Sequence, residues 1–147
     1  MKVEGIDHIH IYVKDLEAAT KLLSNILGSH FVGPMEFQTV RTAFDDMGFE
    51  VIQPKTPDDP RAKFIEEHGE GIGAIGLKVP NVDEAAAELE AKGVKIIRRR
   101  GGPDRDVQII LTDPKSAFGV QIELVEYQNT RGVLWANLNK VRGLPWM

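Results

Sequence analysis

Two histidines and two glutamates stand where side chains can do chemistry. His8 and His10 sit two residues apart inside the apolar run Ile6-Asp7-His8-Ile9-His10-Ile11-Tyr12-Val13. Glu50 interrupts a second such run, Gly48-Phe49-Glu50-Val51-Ile52, and Glu123 a third, Val120-Gln121-Ile122-Glu123-Leu124. One imidazole and two carboxylates, His8, Glu50 and Glu123, make a donor set for a divalent ion, with Co, Mn, Mg, Zn, Ni and Fe as candidates. Such an ion would polarise a carbonyl while a carboxylate moves the proton at the adjacent carbon. We assign the catalytic work to Glu123, as base, together with Glu50 and His10. His10 shares the strand face of His8 and is also able to take a vacant coordination place. Tyr12, next on that face, is expected to touch substrate, as are Lys115 and Ser116 in the turn before the Glu123 strand. His30 and His68 fall at loop or helix-end positions, where surface histidines are the default.

These residues recur because the chain repeats itself. The segment from Ile6 to Leu16 returns as Ile72 to Val82, sixty-six residues later, so that Ala74 occupies the place of His8. The Glu50 strand likewise has its echo in the Glu123 strand. A duplicated unit predicts paired modules, with a site lined by equivalent positions of each: His8 and Ala74, Glu50 and Glu123. Three of these four can bind a metal ion.

The elements that must position them follow from periodicity. Residues 6–13 alternate, with Ile9, Ile11 and Val13 on one face and His8, His10 and Tyr12 on the other, as in a half-buried strand. Asp15 reads as a helix N-cap, and Leu16, Ala19, Leu22, Leu23, Ile26 and Leu27 form a helical stripe ended by Gly28. Residues 29–38 read as a strand and loop, and Val40–Phe44 with Phe49–Ile52 as a hairpin. A proline-rich link holds a short helix over 62–68. The second copy runs strand 72–79, a helix over 83–92 beginning at Asp83 and closed by Gly93, then strands 94–98, 107–112 and 119–126. Each module therefore reads βαβββ, about 4–54 and 70–127, with 55–69 as linker, in one domain spanning 1–127. The fold class is α+β, with paired modules forming a curved mixed sheet around a central cleft. Helices would cover the Ile/Leu/Val faces, leaving the His/Glu faces to line a solvated hollow. Residues 128–147 form a C-terminal extension holding Trp135 and Trp146, too apolar for a free tail and suited to docking on the domain or on a second copy.

Composition sets outer bounds. At 147 residues, 42% hydrophobic and 27% charged, the chain suits one ordinary globular domain. A formal net charge of −4 gives no general affinity for nucleic acid. The absence of cysteine excludes disulfides and thiolate metal sites. No apolar stretch is long enough for a bilayer, and no secretory signal opens the sequence, so a cytoplasmic protein without membrane partners is expected. The basic run Lys95 to Arg100 reads either as a solvated strand end or as a clamp for a carboxylate or phosphate. Gly71, Gly73 and Gly76 spell G-x-G-x-x-G, but they lie within a strand rather than between strand and helix, which rules out a dinucleotide loop.

Asp7-His8-Ile9, Gly69-Glu70-Gly71-Ile72, Gly93-Val94 and Pro114-Lys115-Ser116 with Gly119 to Glu126 together resemble the vicinal oxygen chelate superfamily, the glyoxalase and bleomycin-resistance fold. Within it the chain looks most like methylmalonyl-CoA epimerases. The resemblance covers about residues 4–127. It implies a divalent metal held at positions matching His8, Glu50, Ala74 and Glu123, the family carrying a second histidine at Ala74. It implies a further acid near Glu36 to Gln38 and a histidine where this chain has Asp113. Ring-opening dioxygenases of related type use two histidines and one carboxylate around iron, and here His10 would have to supply the second. The resemblance also implies a homodimer acting on a small carbonyl acid or acyl thioester by epimerase, isomerase or lyase chemistry. Two alternatives keep the same fold: a metal-free, resistance-type protein that sequesters a small molecule, and an acid/base isomerase that needs no metal.

Overall fold

A computed structural model describes residues 1–101 and 107–128. The sequence-expected extension, from 129 onward, lies outside the described residues, and so do the tryptophans in it. The elements, in chain order, are β1 (Gly5–Tyr12), α1 (Leu16–Leu27), β2 (Val32–Glu36), β3 (Val40–Phe44), β4 (Phe49–Pro54), α2 (Pro60–His68), β5 (Gly71–Lys78), α3 (Val82–Ala91), β6 (Ile96–Arg100), β7 (Val107–Thr112), a 3-10 turn (Pro114–Ser116) and β8 (Ile122–Tyr127). The order is βαβββ twice, with α2 in the link. The fold is α+β with the element order the periodicity predicts, and its mixed strand pairing is the one the resemblance implies.

The described residues form two compact units, one of 9–73 and one of 1–8 with 74–128. The first unit orders its strands β2-β3-β4-β1, with β1 parallel to β4 and the other pairs antiparallel. The second orders them β5-β8-β7-β6, with β5 parallel to β8. It also takes in the first residues of β1, tied to β5 by the Glu4 N–H donating to the Lys78 carbonyl at 2.8 Å.

In the first unit α1 packs on one sheet face. Val13, Leu16, Ala43 and Val51 are buried together there, with Ile11, Ala19, Leu23 and Phe31 against them. Asp15 caps α1 by accepting from the Ala18 N–H at 2.9 Å, and Gly28 ends it in the left-handed region at φ 68°. The opposite face carries His10, Glu50 and Phe44 in register, then Tyr12, Ile52 and Thr42. The link helix α2 covers one end of this face, burying Ile65 with Tyr12, Val40 and Ile52. The proline-rich link is thus a packed wall of the polar face. In the second unit α3 covers Leu124, Ile110 and Val79, while Glu123 and its partner Gly76 lie on the other face. The helix begins one residue before the sequence-expected Asp83, because Asn81 takes the cap: its side chain accepts from the Asp83 and Glu84 N–H groups at 3.0 Å each. An amide two residues upstream of Asp83 meets these donors more directly.

Asp59 begins α2, accepting from the Arg61 N–H at 2.9 Å and gripping the Arg61 guanidinium through Nε at 2.8 Å and Nη2 at 2.9 Å. Burial alone would raise the Asp59 carboxyl. Hydrogen bonds from the Arg61 side chain, the Arg61 N–H and Thr39 outweigh it and hold that carboxyl below the usual range. A depressed folded value contributes stability above the unfolded value of about 3.9 and loses it as pH falls through the folded value. Asp59→Asn is therefore expected to lower the urea midpoint at pH 7 and to flatten its decline below about pH 4. A variant that keeps the wild-type acid slope would assign that slope to other groups.

Candidate functional site

The site is built from strand register. In the parallel pair β1–β4, His10 lies opposite Glu50, with His10 Nε2 at 3.6 Å from Glu50 Oε2. In the equivalent pair β5–β8, Glu123 lies opposite Gly76. Gly76 stands sixty-six residues after His10, so the second module has a glycine where the first has an imidazole. The space is used by His8: a Cβ built on Gly76 would fall 2.6 Å from His8 Cε1 and 2.8 Å from Nδ1. From there His8 Nε2 is 3.3 Å from Glu123 Oε1. Gly73 serves Tyr12 in the same way, since a Cβ added to it would fall within 2.5 Å of three atoms of the Tyr12 ring. The glycine motif of β5 therefore clears room for two rings of β1.

Both histidines are nearly sealed, at 6% exposure each, and Glu123 is exposed by only 8%. The expected solvated lining is thus a set of buried polar groups lying against one another. His8 Nδ1 is 2.8 Å from Asp7 Oδ2, and that same oxygen accepts from the Tyr127 hydroxyl at 2.6 Å. Around His10 the rings of Tyr12 and Phe64 meet edge to face in succession, centroids 6.3 Å and 5.3 Å apart. Arg61, one turn before Phe64 and Ile65 on α2, interacts electrostatically with Tyr12 and Glu50. Burial would lower its guanidinium, but Asp59, Tyr12 and Glu50 raise it.

His10 and Glu50, carried on β1 and β4, are an imidazole and a carboxylate of the kind that suits a borderline divalent ion, and His8 has in Asp7 the outer carboxylate contact typical of a metal-bound histidine. Ala74, 2% exposed, adds no donor. The structure brings His8 to Glu123 and His10 to Glu50. Tyr12 is buried under α2 rather than presented on an open surface. The Ser116 hydroxyl is engaged in the backbone, donating to the Asp113 carbonyl at 2.7 Å and accepting from the Lys95 N–H at 2.9 Å. Lys115 is exposed in that turn, and its N–H donates to the Asp113 carboxylate at 3.0 Å. Glu36, where the resemblance suggests a further acid, is bound by Arg41 at 2.6 Å and Lys55 at 3.3 Å, and Arg41 reaches on to Glu17 of α1. It belongs to the α1 side of the sheet.

Sequence reasoning passes over Asp7, Tyr127, Arg61 and Gly76. Two signals for them exist: the acid immediately before His8, and a glycine at the repeat position of His10.

Residues 7–108 match the family model described as Glyoxalase/Bleomycin resistance protein/Dioxygenase superfamily. Among curated proteins the chain is 31% identical over 129 residues to the uncharacterized protein YqjC of Bacillus subtilis, covering 82% of this chain and 91% of that one. It is 29% identical over 128 residues to human mitochondrial methylmalonyl-CoA epimerase, covering 81% and 72%. The crystal structure of methylmalonyl-CoA epimerase from Mycobacterium tuberculosis superposes with a TM-score of 0.75 at 30% identity, over 86% of this chain and 89% of that one.

Because His8 occupies the room Gly76 leaves, Gly76→Ala is expected to destabilise the fold by about 1–3 kcal/mol in urea unfolding. Unchanged stability, with the His8 ring resonances of the wild type, would show that the ring is not seated there.

Proposed function

The chain belongs to the glyoxalase/bleomycin resistance protein/dioxygenase superfamily, and from that premise we propose that it is an epimerase-type isomerase. Its substrate would be an acyl thioester of a small acid, handled by a homodimer with a divalent ion. The observation that carries this reading is the pairing of each module's strand glutamate with an imidazole: Glu50 with His10 at 3.6 Å and Glu123 with His8 at 3.3 Å. Similarity to methylmalonyl-CoA epimerases supports the substrate class, a carbonyl whose adjacent carbon bears an exchangeable proton.

His8, Glu50 and Glu123 are the proposed ligands, with His10 in place of the donor that Ala74 lacks. A bound ion supplies Lewis acidity that offsets the charge developing on the substrate carbonyl oxygen. Through a carboxylate oxygen not engaged by the ion, Glu123 would take the proton from the carbon beside that carbonyl, and water, or His10 where it is not a ligand, would deliver one to the same carbon. One proton leaves the carbon and one is added; Glu123 then releases its proton to solvent and the donor regains one, so the cycle balances and the product has the mirror configuration at that carbon. Tyr12, packed beside His10 with Phe64 of α2 against it, lowers the local dielectric and strengthens the His10–Glu50 contact.

Methylmalonyl-CoA, incubated with the protein in D2O, is expected to gain deuterium at its central carbon at an enzyme-dependent rate. Glu123→Gln is expected to slow that exchange by about 10²-fold or more. Undiminished exchange in the variant would remove Glu123 as base. Absence of exchange with methylmalonyl-CoA, other acyl thioesters and 2-oxo acids would leave only a binding protein.

A second reading, acid/base isomerisation without metal, is favoured by the contact of His8 with carboxylates on both sides. Metal content decides between the two. Ala74→His is expected to raise affinity for Co2+ by about tenfold or more, as one added imidazole ligand should. Full exchange activity in metal-stripped wild type would favour the second reading.

A further inference from the structure

We infer that Asp7 and Tyr127 are positioning residues that fix the tautomer of His8, placing its proton on Nδ1 and turning the Nε2 lone pair toward Glu123. Neighbouring side chains on a strand ordinarily project to opposite faces, so Asp7 does not meet His8 by strand geometry alone. The Tyr127 hydroxyl, at the end of β8, donates to Asp7 Oδ2 at 2.6 Å and holds the carboxylate in reach. That oxygen lies 2.8 Å from His8 Nδ1. With Asp7 Oδ2 already accepting from the Tyr127 hydroxyl, the hydrogen between that oxygen and the ring is assigned to Nδ1. In the neutral imidazole Nε2 is then an acceptor, and it faces another acceptor, Glu123 Oε1, at 3.3 Å.

Burial reinforces the arrangement. The Asp7 side chain is 4% exposed and that of His8 6%, so water competes little for either. Gly76 completes it by leaving room for the ring. The alternative tautomer would donate from Nε2 to Glu123 and leave Nδ1 facing the Asp7 carboxylate, acceptor against acceptor in a buried place. That clash, at 2.8 Å, is closer and costlier than the 3.3 Å one between Nε2 and Glu123 in the first form, so the Asp7 carboxylate, held by Tyr127, favours the first form. The role in catalysis rests on the reading of Glu123 and His8 given above; the tautomer does not.

Nitrogen-15 spectra of the histidine rings in metal-free protein at pH 9 test the assignment, with the His8 signals identified by their loss in His8→Gln. Wild type is expected to show a protonated Nδ1 and a bare Nε2. Asp7→Ala is expected to shift His8 predominantly to the Nε2–H form. Tyr127→Phe removes only a hydroxyl and keeps the fold if Asp7→Ala does not. It is expected to move a measurable fraction the same way. A wild-type His8 protonated on Nε2, or a tautomer unchanged in both variants, overturns the inference. Co2+ titration of the same proteins reads the metal separately: Asp7→Asn is expected to weaken binding about 10- to 100-fold. If wild type binds no Co2+ while its tautomer is as stated, the metal reading falls and the positioning role stands.

Discussion

The arrangement depends on one steric constraint: two glycines of β5 must stay bare so that two rings of β1 can lie against the strand. With a side chain at residue 76, the His8 ring would be pushed out of the position from which it meets both Asp7 and Glu123. With a side chain at residue 73, Tyr12 would be displaced from its place under α2, and the apolar cover beside His10 would go with it. Neither glycine has a positive φ, so backbone freedom does not explain them. Close approach does.

This constraint makes the two modules unequal in an informative way. Both place a glutamate in the same register of a parallel strand pair, Glu50 opposite His10 and Glu123 opposite Gly76. The first module supplies an imidazole from the paired position. The second supplies a gap, and His8 fills it. The difference between the modules at residues 74 and 76 therefore leaves one pair of histidines, both on β1, beside two glutamates. Ala74 marks where a symmetric arrangement would have had another donor.

Much of the fold is legible in the sequence because it rests on local signals. Alternation gives β1 and β5, the Asp15 cap and Gly28 bound α1, and the repeat gives the βαβββ order. The acids are legible too, since a glutamate inside an apolar strand is conspicuous and its recurrence more so. What escapes depends on contacts distant in sequence. Tyr127 lies 120 residues from Asp7, and nothing local marks it as a partner. The link helix gives no sign that Phe64 and Ile65 close over Tyr12, because its apolar residues are too few for a clear stripe. Burial departs from expectation for a physical reason. Polar faces are expected to seek water, whereas here imidazoles and carboxylates lie buried beside one another, which only the pairing of strands reveals.

Stability alone does not account for this polar face. Taking one partner from a buried charged pair costs about 3–5 kcal/mol, yet replacing a whole pair with well-packed apolar residues is often neutral or favourable. The same sheets show the apolar solution on their other faces, where Val51 meets Ala43 under α1 and Leu124 meets Ile110 under α3. Nothing in the backbone prevents it from being used at residues 8, 10, 50 and 123. That the sequence keeps imidazoles and carboxylates there, with Gly76 bare and Asp7 held by Tyr127 to orient one of them, is a local departure from what packing favours. Departures of that kind gather at functional sites, and here each retained group is one that can hold a cation or move a proton.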